Sequence, residues 1–186
     1  MTTRKDSFGH GILKGLVNLL TGGASVLDEQ LQRADDGAAP THSSPGRSGS
    51  GRTVEIVPPA PGELVLAYAP ERDGDPDAGE VVWTWVPYDE NDGRGKDRPV
   101  LVIARKDAQR VYAVRLTSKA HDRDRDFLPI GTGEWDAAGR PSWVDVEQIY
   151  LVHADGMRRE AAALDLTRFA VVARALQERY GWTVGA

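Results

Sequence analysis

The sequence predicts a mainly β domain with one C-terminal helix in residues 79–186 of a 186-residue chain, preceded by a short helical segment and a disordered linker. Five short runs rich in β-branched and aromatic residues follow one another with turn residues between them, at 80–86, 100–104, 111–117, 127–130 and 143–152. Short strands at this spacing are typical of a small barrel. An apolar stripe at helical spacing follows the last run, so we expect one helix to pack on the barrel.

The first two runs have the pattern of buried strands. Residues 80–86 read Glu-Val-Val-Trp-Thr-Trp-Val and are apolar on both faces, so we expect little exposed surface there. Trp83 and Trp85 are accordingly expected in the core. Residues 100–104 are apolar throughout and predict a second buried strand.

The C-terminal helix has a start signal and a stop signal. Asp165 suits the N-cap position, and Gly181 suits the left-handed residue that commonly ends a helix. The apolar stripe between them consists of Phe169, Val172, Ala173, Leu176 and Tyr180.

Three segments precede the predicted domain. Residues 1–36 carry apolar side chains at roughly helical spacing between Ser7 and Leu31, which predicts a short amphipathic helical segment. In residues 37–52, ten of sixteen positions are Gly, Ser or Pro, a composition that predicts a disordered linker. Residues 53–78 have brief β-type runs interrupted by prolines and predict an extended arm.

Composition limits the classes of function. The chain has no cysteine, which excludes disulfides, thiolate metal sites and a cysteine nucleophile, and we expect a cytoplasmic protein. The net charge of −5 gives no general attraction to nucleic acid. Residues 79–186 hold 16 Lys and Arg against 17 Asp and Glu, however, so most of the acidity lies in residues 1–78. Nucleic-acid binding would therefore depend on a local site.

We expect neither a membrane partner nor a cofactor. The apolar stretch at residues 11–20 is too short to span a bilayer and is broken by Lys14 and Asn18. Contact with a membrane surface through residues 8–20 is an alternative, but Lys14 is the single Lys or Arg in that segment. No phosphate-binding loop or metal motif occurs in the sequence, so no metal is expected either.

Three short motifs resemble a known family. Residues 79–83 (Gly-Glu-Val-Val-Trp), 96–103 (Lys-Asp-Arg-Pro-Val-Leu-Val-Ile) and 116–118 (Leu-Thr-Ser) resemble, in order and spacing, the PemK/MazF toxins of toxin–antitoxin pairs. The resemblance continues more weakly through residues 144–149 and covers about 79–180. It implies an SH3-like barrel, a homodimer and metal-independent cleavage of single-stranded RNA. It also implies a cognate antitoxin that occupies the RNA groove.

The predicted hairpin sets residues from two of these motifs opposite each other. Strands at 99–105 and 110–117 are connected by four residues, and if Arg105 faces Arg110, then Arg98 faces Thr117. Their Cβ atoms would be roughly 5 Å apart. The sequence therefore predicts one site built from Arg98 and Thr117.

The predicted chemistry uses the 2′-hydroxyl of RNA as the nucleophile, so the protein must supply a base and stabilise the charge on phosphorus. Arg98 would present a forked cation to the phosphate, and Thr117 would donate a hydrogen bond to a phosphate oxygen. Two residues are candidates for the general base. His121 titrates near neutral pH as a residue type, and Glu147 stands where the family often has a functional acid.

Further residues are expected to bind RNA around this pair. They are Lys96, Ser118, Lys119 and Gln148. A strip of phosphate-binding cations is predicted from Arg94, Lys96, Arg98, Arg115, Lys119, Arg123 and Arg125. Trp135 and Trp143 are candidates for stacking on bases.

Two departures from the family pattern leave an alternative open. The loop at residues 91–95 differs from the family's usual sequence, and position 145 is Asp where some members carry a cation. The alternative is a catalytically silent SH3-like module that binds a protein partner or RNA.

Overall fold

The structure of the protein is a computed structural model that describes residues 44–71, 75–88, 90 and 92–185. The predicted N-terminal helical segment, residues 1–36, lies outside the described residues. The described elements are β1 (Val54–Ile56), β2 (Val65–Leu66), β3 (Glu80–Pro87), β4 (Gly95–Arg105), β5 (Arg110–Thr117), β6 (Phe127–Gly131), β7 (Ser142–His153), β8 (Met157–Ala163), α1 (Leu166–Tyr180) and β9 (Thr183–Val184).

Seven of these strands form one antiparallel sheet. The order is β1-β7-β5-β4-β3-β8, and β6 pairs with β7 in addition. The long strand β7 serves two neighbours on one side, since Leu151 pairs with Val54 in β1 and Asp145 pairs with Phe127 in β6. Among the described strands, no hydrogen-bonded pairing joins β1 to β8 and closes the sheet into a barrel. The prediction of a mainly β fold with one C-terminal helix is confirmed.

The sheet buries apolar side chains on both faces. On the helix face, against which α1 packs, Leu101 and Ile103 of β4 join Val114 of β5 in the main core. On the opposite face, called here the far face, Val100 and Val102 belong to a second and smaller cluster. The alternation of β4 between two buried clusters explains why residues 100–104 of this strand are all apolar.

Helix α1 begins and ends as the sequence predicts. The Asp165 carboxylate accepts a hydrogen bond from the Arg168 backbone N–H at 3.0 Å, and this bond holds the pKa of Asp165 below its usual range. Gly181 has a φ of 70° and its N–H donates to the Gln177 carbonyl at 2.8 Å. The helix buries Phe169, Val172, Ala173 and Leu176.

Residues 44–53, called here the strap, pack closely against the sheet. The Trp85 N–H donates to the Pro45 carbonyl at 3.1 Å, and the Thr53 N–H donates to the Gly46 carbonyl at 2.8 Å. A Cβ added to Gly46 would lie 2.2 Å from Thr84 Oγ1, and Gly46 has a φ of +81°. Residues 44–52 belong to the segment predicted as a disordered linker, and they differ from that expectation. Their glycines allow close backbone packing in addition to flexibility.

The segment predicted as an extended arm contributes to the core. It contains β1, which pairs with β7, and β2, which pairs in parallel with β9. Leu64 and Leu66 are buried in the main core, and the Pro59 carbonyl accepts a hydrogen bond from the Trp182 indole at 2.9 Å. Long-range pairing of this kind leaves no local pattern in the sequence.

Candidate active site

The hairpin of β4 and β5 has the predicted register over residues 100–102 and 113–115. Val100 pairs with Arg115 and Val102 pairs with Ala113, which is the register that the arithmetic required. The assumed pairing of Arg105 with Arg110 is wrong, because Arg105 pairs with Val111. A bulge between Val102 and Ala104 shifts the register by one residue and compensates for that error.

A row of polar side chains crosses the far face along this register. Thr84 of β3 pairs with Arg98, and Thr117 pairs with Trp143 of β7. Continuing the register of Val100 and Arg115 by two residues sets Arg98 opposite Thr117. Directly opposed residues in antiparallel strands lie on the same face of the sheet. Thr84, Arg98, Thr117 and Trp143 are called here the polar row.

Thr117 has a hydroxyl oriented by the turn that follows it. Its Oγ1 accepts a hydrogen bond from the Lys119 backbone N–H at 3.2 Å. A hydroxyl that accepts one bond keeps its own hydrogen for donation. Ser118 is partly buried and Lys119 is exposed, so both lie at the surface beside the end of the polar row.

A buried ion pair lies beside the polar row. Arg115 Nε is 2.7 Å from Asp145 Oδ2, and the two side chains are 15% and 2% exposed. Asp145 Oδ1 also accepts the Glu147 backbone N–H at 2.8 Å. The sequence predicts that Arg115 belongs to a strip of phosphate-binding cations and shows Asp145 as a departure from the family pattern. Neither prediction includes the ion pair between these two residues. The 29 residues between them carry no local signal that predicts it.

Other members of the predicted cation strip are also offset by acidic neighbours. Arg94 Nε is 2.6 Å from Asp92 Oδ2. Arg123 and Arg125 are exposed in a loop that also contains Asp122, Asp124 and Asp126. Lys96 lies on the far face two residues from Arg98, because its register partner is Val86.

His121 is held over the far face by an aromatic contact. Its ring stacks on Phe127 with the centroids 3.6 Å apart and the planes inclined by 10°. Phe127 pairs with Asp145 across β6 and β7, and therefore lies on the face that carries Arg115. His121 Nδ1 is 3.8 Å from Asp124 Oδ2.

Glu147 and Gln148 contact other groups. Glu147 Oε1 is 3.6 Å from Arg179 Nη2, and Arg179 belongs to α1 on the helix face. Gln148 Oε1 accepts a hydrogen bond from the Tyr150 hydroxyl at 2.9 Å. Of the two candidate bases, His121 therefore lies over the same face as the polar row, whereas Glu147 contacts the helix.

The tryptophans divide between core and surface. Trp135 is 2% exposed and its Nε1 donates to Ser142 Oγ at 3.0 Å, so the prediction that it stacks on RNA bases is wrong. Trp85 is buried as predicted, whereas Trp83 is partly exposed beneath the Arg158 guanidinium. Trp143 is partly exposed, and its Nε1 has no hydrogen-bond partner among the described residues.

The described residues contain neither a cluster of metal ligands nor a membrane-spanning helix. No group of three or more His, Cys, Asp or Glu side chains there is arranged to hold a metal ion. No helix in the described part of the chain is long and apolar enough to cross a membrane.

Comparison with known proteins identifies the family. Residues 77–179 match the family described as PemK-like, MazF-like toxin of type II toxin-antitoxin system. No curated protein matches the chain. Among solved structures, a chain of the MazE-MazF crystal structure (Form-II) from Deinococcus radiodurans matches with 20% identity and a TM-score of 0.43, over 57% of this chain and 96% of that one. Because the family match spans more than half of the sequence and contains both motifs of the polar row, the chain belongs to the PemK-like, MazF-like toxins of type II toxin-antitoxin systems.

Proposed function

We propose that the protein is an endoribonuclease toxin that cleaves single-stranded RNA without a metal ion. The observation that carries the proposal is the pairing of Val100 with Arg115, because the same register continued by two residues sets Arg98 opposite Thr117 on one face. These two residues come from separate motifs of the toxin family. A guanidinium and a hydroxyl donor side by side suit the phosphate of an RNA chain.

In the proposed reaction, the 2′-hydroxyl oxygen of the ribose attacks the adjacent phosphorus. The bond to the 5′-oxygen breaks, which leaves a 2′,3′-cyclic phosphate and a 5′-hydroxyl end. Arg98 stabilises the negative charge that develops on the phosphate oxygens. Thr117 donates its hydroxyl hydrogen to one of these oxygens, since its acceptor side is already used by Lys119.

The general base in this proposal is His121. Stacking on Phe127 supports a ring position over the face that carries the polar row. A neutral imidazole accepts the 2′-hydroxyl proton, and the resulting imidazolium can return a proton to the 5′-oxygen. Glu147 is the competing candidate, but its carboxylate contacts Arg179 of α1.

Substrate binding is proposed to extend along the far face from the polar row. Lys96 lies on the same face as Arg98, and Ser118 and Lys119 follow Thr117 at the end of β5. We propose that Gln148 also contacts RNA. The partly exposed indole of Trp143, opposite Thr117, offers a surface on which a base can stack.

The proposed partners follow from the family. A type II toxin works with a protein antitoxin, and we propose that such an antitoxin covers the far face and blocks RNA. We further propose that the toxin is a cytoplasmic homodimer.

The test is cleavage of a single-stranded RNA by purified protein in EDTA. Wild type is expected to cut and to leave cyclic-phosphate ends, whereas Arg98→Ala and Thr117→Val should each lower the rate about 100-fold or more. Arg174→Ala is the matched control, because Arg174 is exposed on α1 and pairs with Glu178 within one helical turn. Cleavage by both site variants at the wild-type rate would remove the site assignment. Intact RNA with wild type would leave a silent binding module.

The base is assigned in the same assay by comparing His121→Ala with Glu147→Gln. If His121 is the base, His121→Ala lowers the cleavage rate about 100-fold or more, and Glu147→Gln keeps a rate near that of wild type. The reverse result assigns the role to Glu147.

A further inference from the structure

The strap lies outside the residues that match the toxin family, yet it contacts the strand beside the candidate site. The family match begins at residue 77, and the strap comprises residues 44–53. Gly46 is buried, and a Cβ there would lie 2.2 Å from Thr84 Oγ1 and 2.6 Å from the Gly156 carbonyl oxygen. Thr84 is the register partner of Arg98. The strap therefore ends its packing one strand away from the proposed catalytic arginine.

A buried chain of hydrogen bonds connects the strap to this strand. Thr84 Oγ1 donates to the Gly156 carbonyl at 2.6 Å, which uses its single hydrogen. The Thr53 hydroxyl, 2.6 Å from Thr84 Oγ1, must then be the donor to Thr84. The direction of the chain is thus fixed from Thr53 through Thr84 to Gly156.

The strap also contacts the edge of β3 directly beyond the point where pairing with β8 ends. Pairing of β3 with β8 reaches as far as Thr84 and Met157. One residue later, the Trp85 N–H donates to the strap at Pro45. The other side of this part of β3 pairs with residues 95–98 of β4, which include Lys96 and Arg98. An edge without such a partner opens more readily, and its neighbouring strand loses rigidity with it.

We infer that the strap is a positioning element of the active site, in which Thr53 holds Thr84 and the end of β3 so that Arg98 keeps its place on β4. The inference rests on the proposed nuclease function and adds residues to it. Thr53 and Thr84 act through the strand and are not expected to touch RNA.

The kinetic test uses three full-length variants. Thr53→Val removes the donor to Thr84, Thr53→Ser keeps it, and Ser50→Ala alters an exposed position in the same strap. We expect Thr53→Val to lower kcat about tenfold with KM within about twofold of wild type, since positioning acts on the transition state. Thr53→Ser and Ser50→Ala should keep the wild-type kcat. An unchanged kcat in Thr53→Val, or an equal loss in Thr53→Ser, would overturn the inference.

A second measurement does not depend on RNA cleavage. Amide hydrogen exchange at residues 84–87 and 95–98 should be at least about fivefold faster in Thr53→Val than in wild type, while exchange in α1 stays the same. If wild type fails to cut RNA, the proposed function fails but this comparison still decides the positioning role. Equal exchange rates in these two segments would remove it.

Discussion

The buried ion pair of Arg115 and Asp145 bears on residue-scale stability. Both side chains have lost most of their contact with water, and their charged groups are 2.7 Å apart. Replacement of such a pair by apolar residues is often neutral for stability, whereas removal of one partner leaves an uncompensated charge. Removal of either partner alone is therefore expected to lower the stability of the folded state.

We predict that Asp145→Ala lowers the free energy of unfolding by about 3 to 5 kcal/mol, because Arg115 is left buried without its carboxylate. The measurement is equilibrium unfolding in urea. Asp122→Ala is the control, since Asp122 is exposed in a loop and its loss should change stability by less than about 0.5 kcal/mol. The double variant Arg115→Met with Asp145→Leu should recover much of the loss. Equal destabilisation by the two single variants would contradict the prediction.

At the scale of elements, Tyr180 joins the end of α1 to the irregular part of β7. Its hydroxyl is 3.0 Å from the Val146 carbonyl oxygen and 2.7 Å from that of Glu147. Burial raises the pKa of Tyr180, because the low-dielectric surroundings disfavour the phenolate. The folded state thus favours the neutral phenol, and this contribution to stability is present below the unfolded pKa of about 10. It is lost as pH rises through the folded pKa.

We therefore predict that Tyr180→Phe lowers the free energy of unfolding by about 1 kcal/mol at pH 7, because the single hydroxyl hydrogen shared by the Val146 and Glu147 carbonyls is removed. The difference from wild type should shrink as pH rises above about 10, where the phenol of the unfolded wild-type chain begins to ionise, and through the raised folded pKa of Tyr180. Urea unfolding at pH 7 and at alkaline pH measures both effects. Tyr112→Phe is the control, since Lys106 Nζ lies over the Tyr112 ring and the Tyr112 hydroxyl makes no hydrogen bond to the described residues. A difference that does not change with pH would contradict the titration argument.

The elements that the sequence predicts are those with a clear local pattern of apolar residues or of helix caps. The runs within β3, β4, β5 and β7 are rich in apolar residues, and α1 has a cap at each end, so pattern alone predicts them. Strand β8 reads Met-Arg-Arg-Glu-Ala-Ala-Ala, which lacks β-branched residues, and it is held by pairing with β3. The strands β1, β2 and β9 have two or three residues each and depend on distant partners.

The candidate site divides in the same way. Arg98 and Thr117 are separated by one hairpin, so arithmetic along the sequence predicts their pairing. Trp135 belongs to a residue type that stacks on nucleic-acid bases, but its burial depends on the distant packing of the sheet and helix. The contact of Arg115 with Asp145 depends on how β5 and β7 pair around an irregularity in register. Only the folded sheet supplies that information.

At the scale of the whole molecule, the folded unit is larger than the segment that matches the family. The match covers residues 77–179, whereas the compact unit that contains it runs from Thr41 to Ala186. Leu64 and Leu66 precede the matched segment and Trp182 follows it, yet all three belong to the main core. Pairing of β2 with β9 joins the two ends of this unit.

This arrangement predicts that a fragment of residues 77–186 is much less stable than a fragment of residues 44–186. The shorter fragment loses Leu64 and Leu66, and burial of each leucine contributes about 1.5 to 3 kcal/mol. It also leaves the Trp182 indole without the Pro59 carbonyl, and β9 without β2. Domains of this size have only about 5 to 15 kcal/mol of stability in total, so a loss of this size removes much of the reserve.

Urea unfolding followed by tryptophan fluorescence compares the two fragments. Within the longer fragment, Leu66→Ala should cost about 2 to 5 kcal/mol, because Leu66 is fully buried. Val57→Ala is the matched control, since Val57 is 88% exposed and its truncation should change little. The same urea midpoint for both fragments would mean that residues 44–76 only lie on a domain that is already complete. A shorter fragment that unfolds at much lower urea would instead show that residues 44–76 form part of the folded domain.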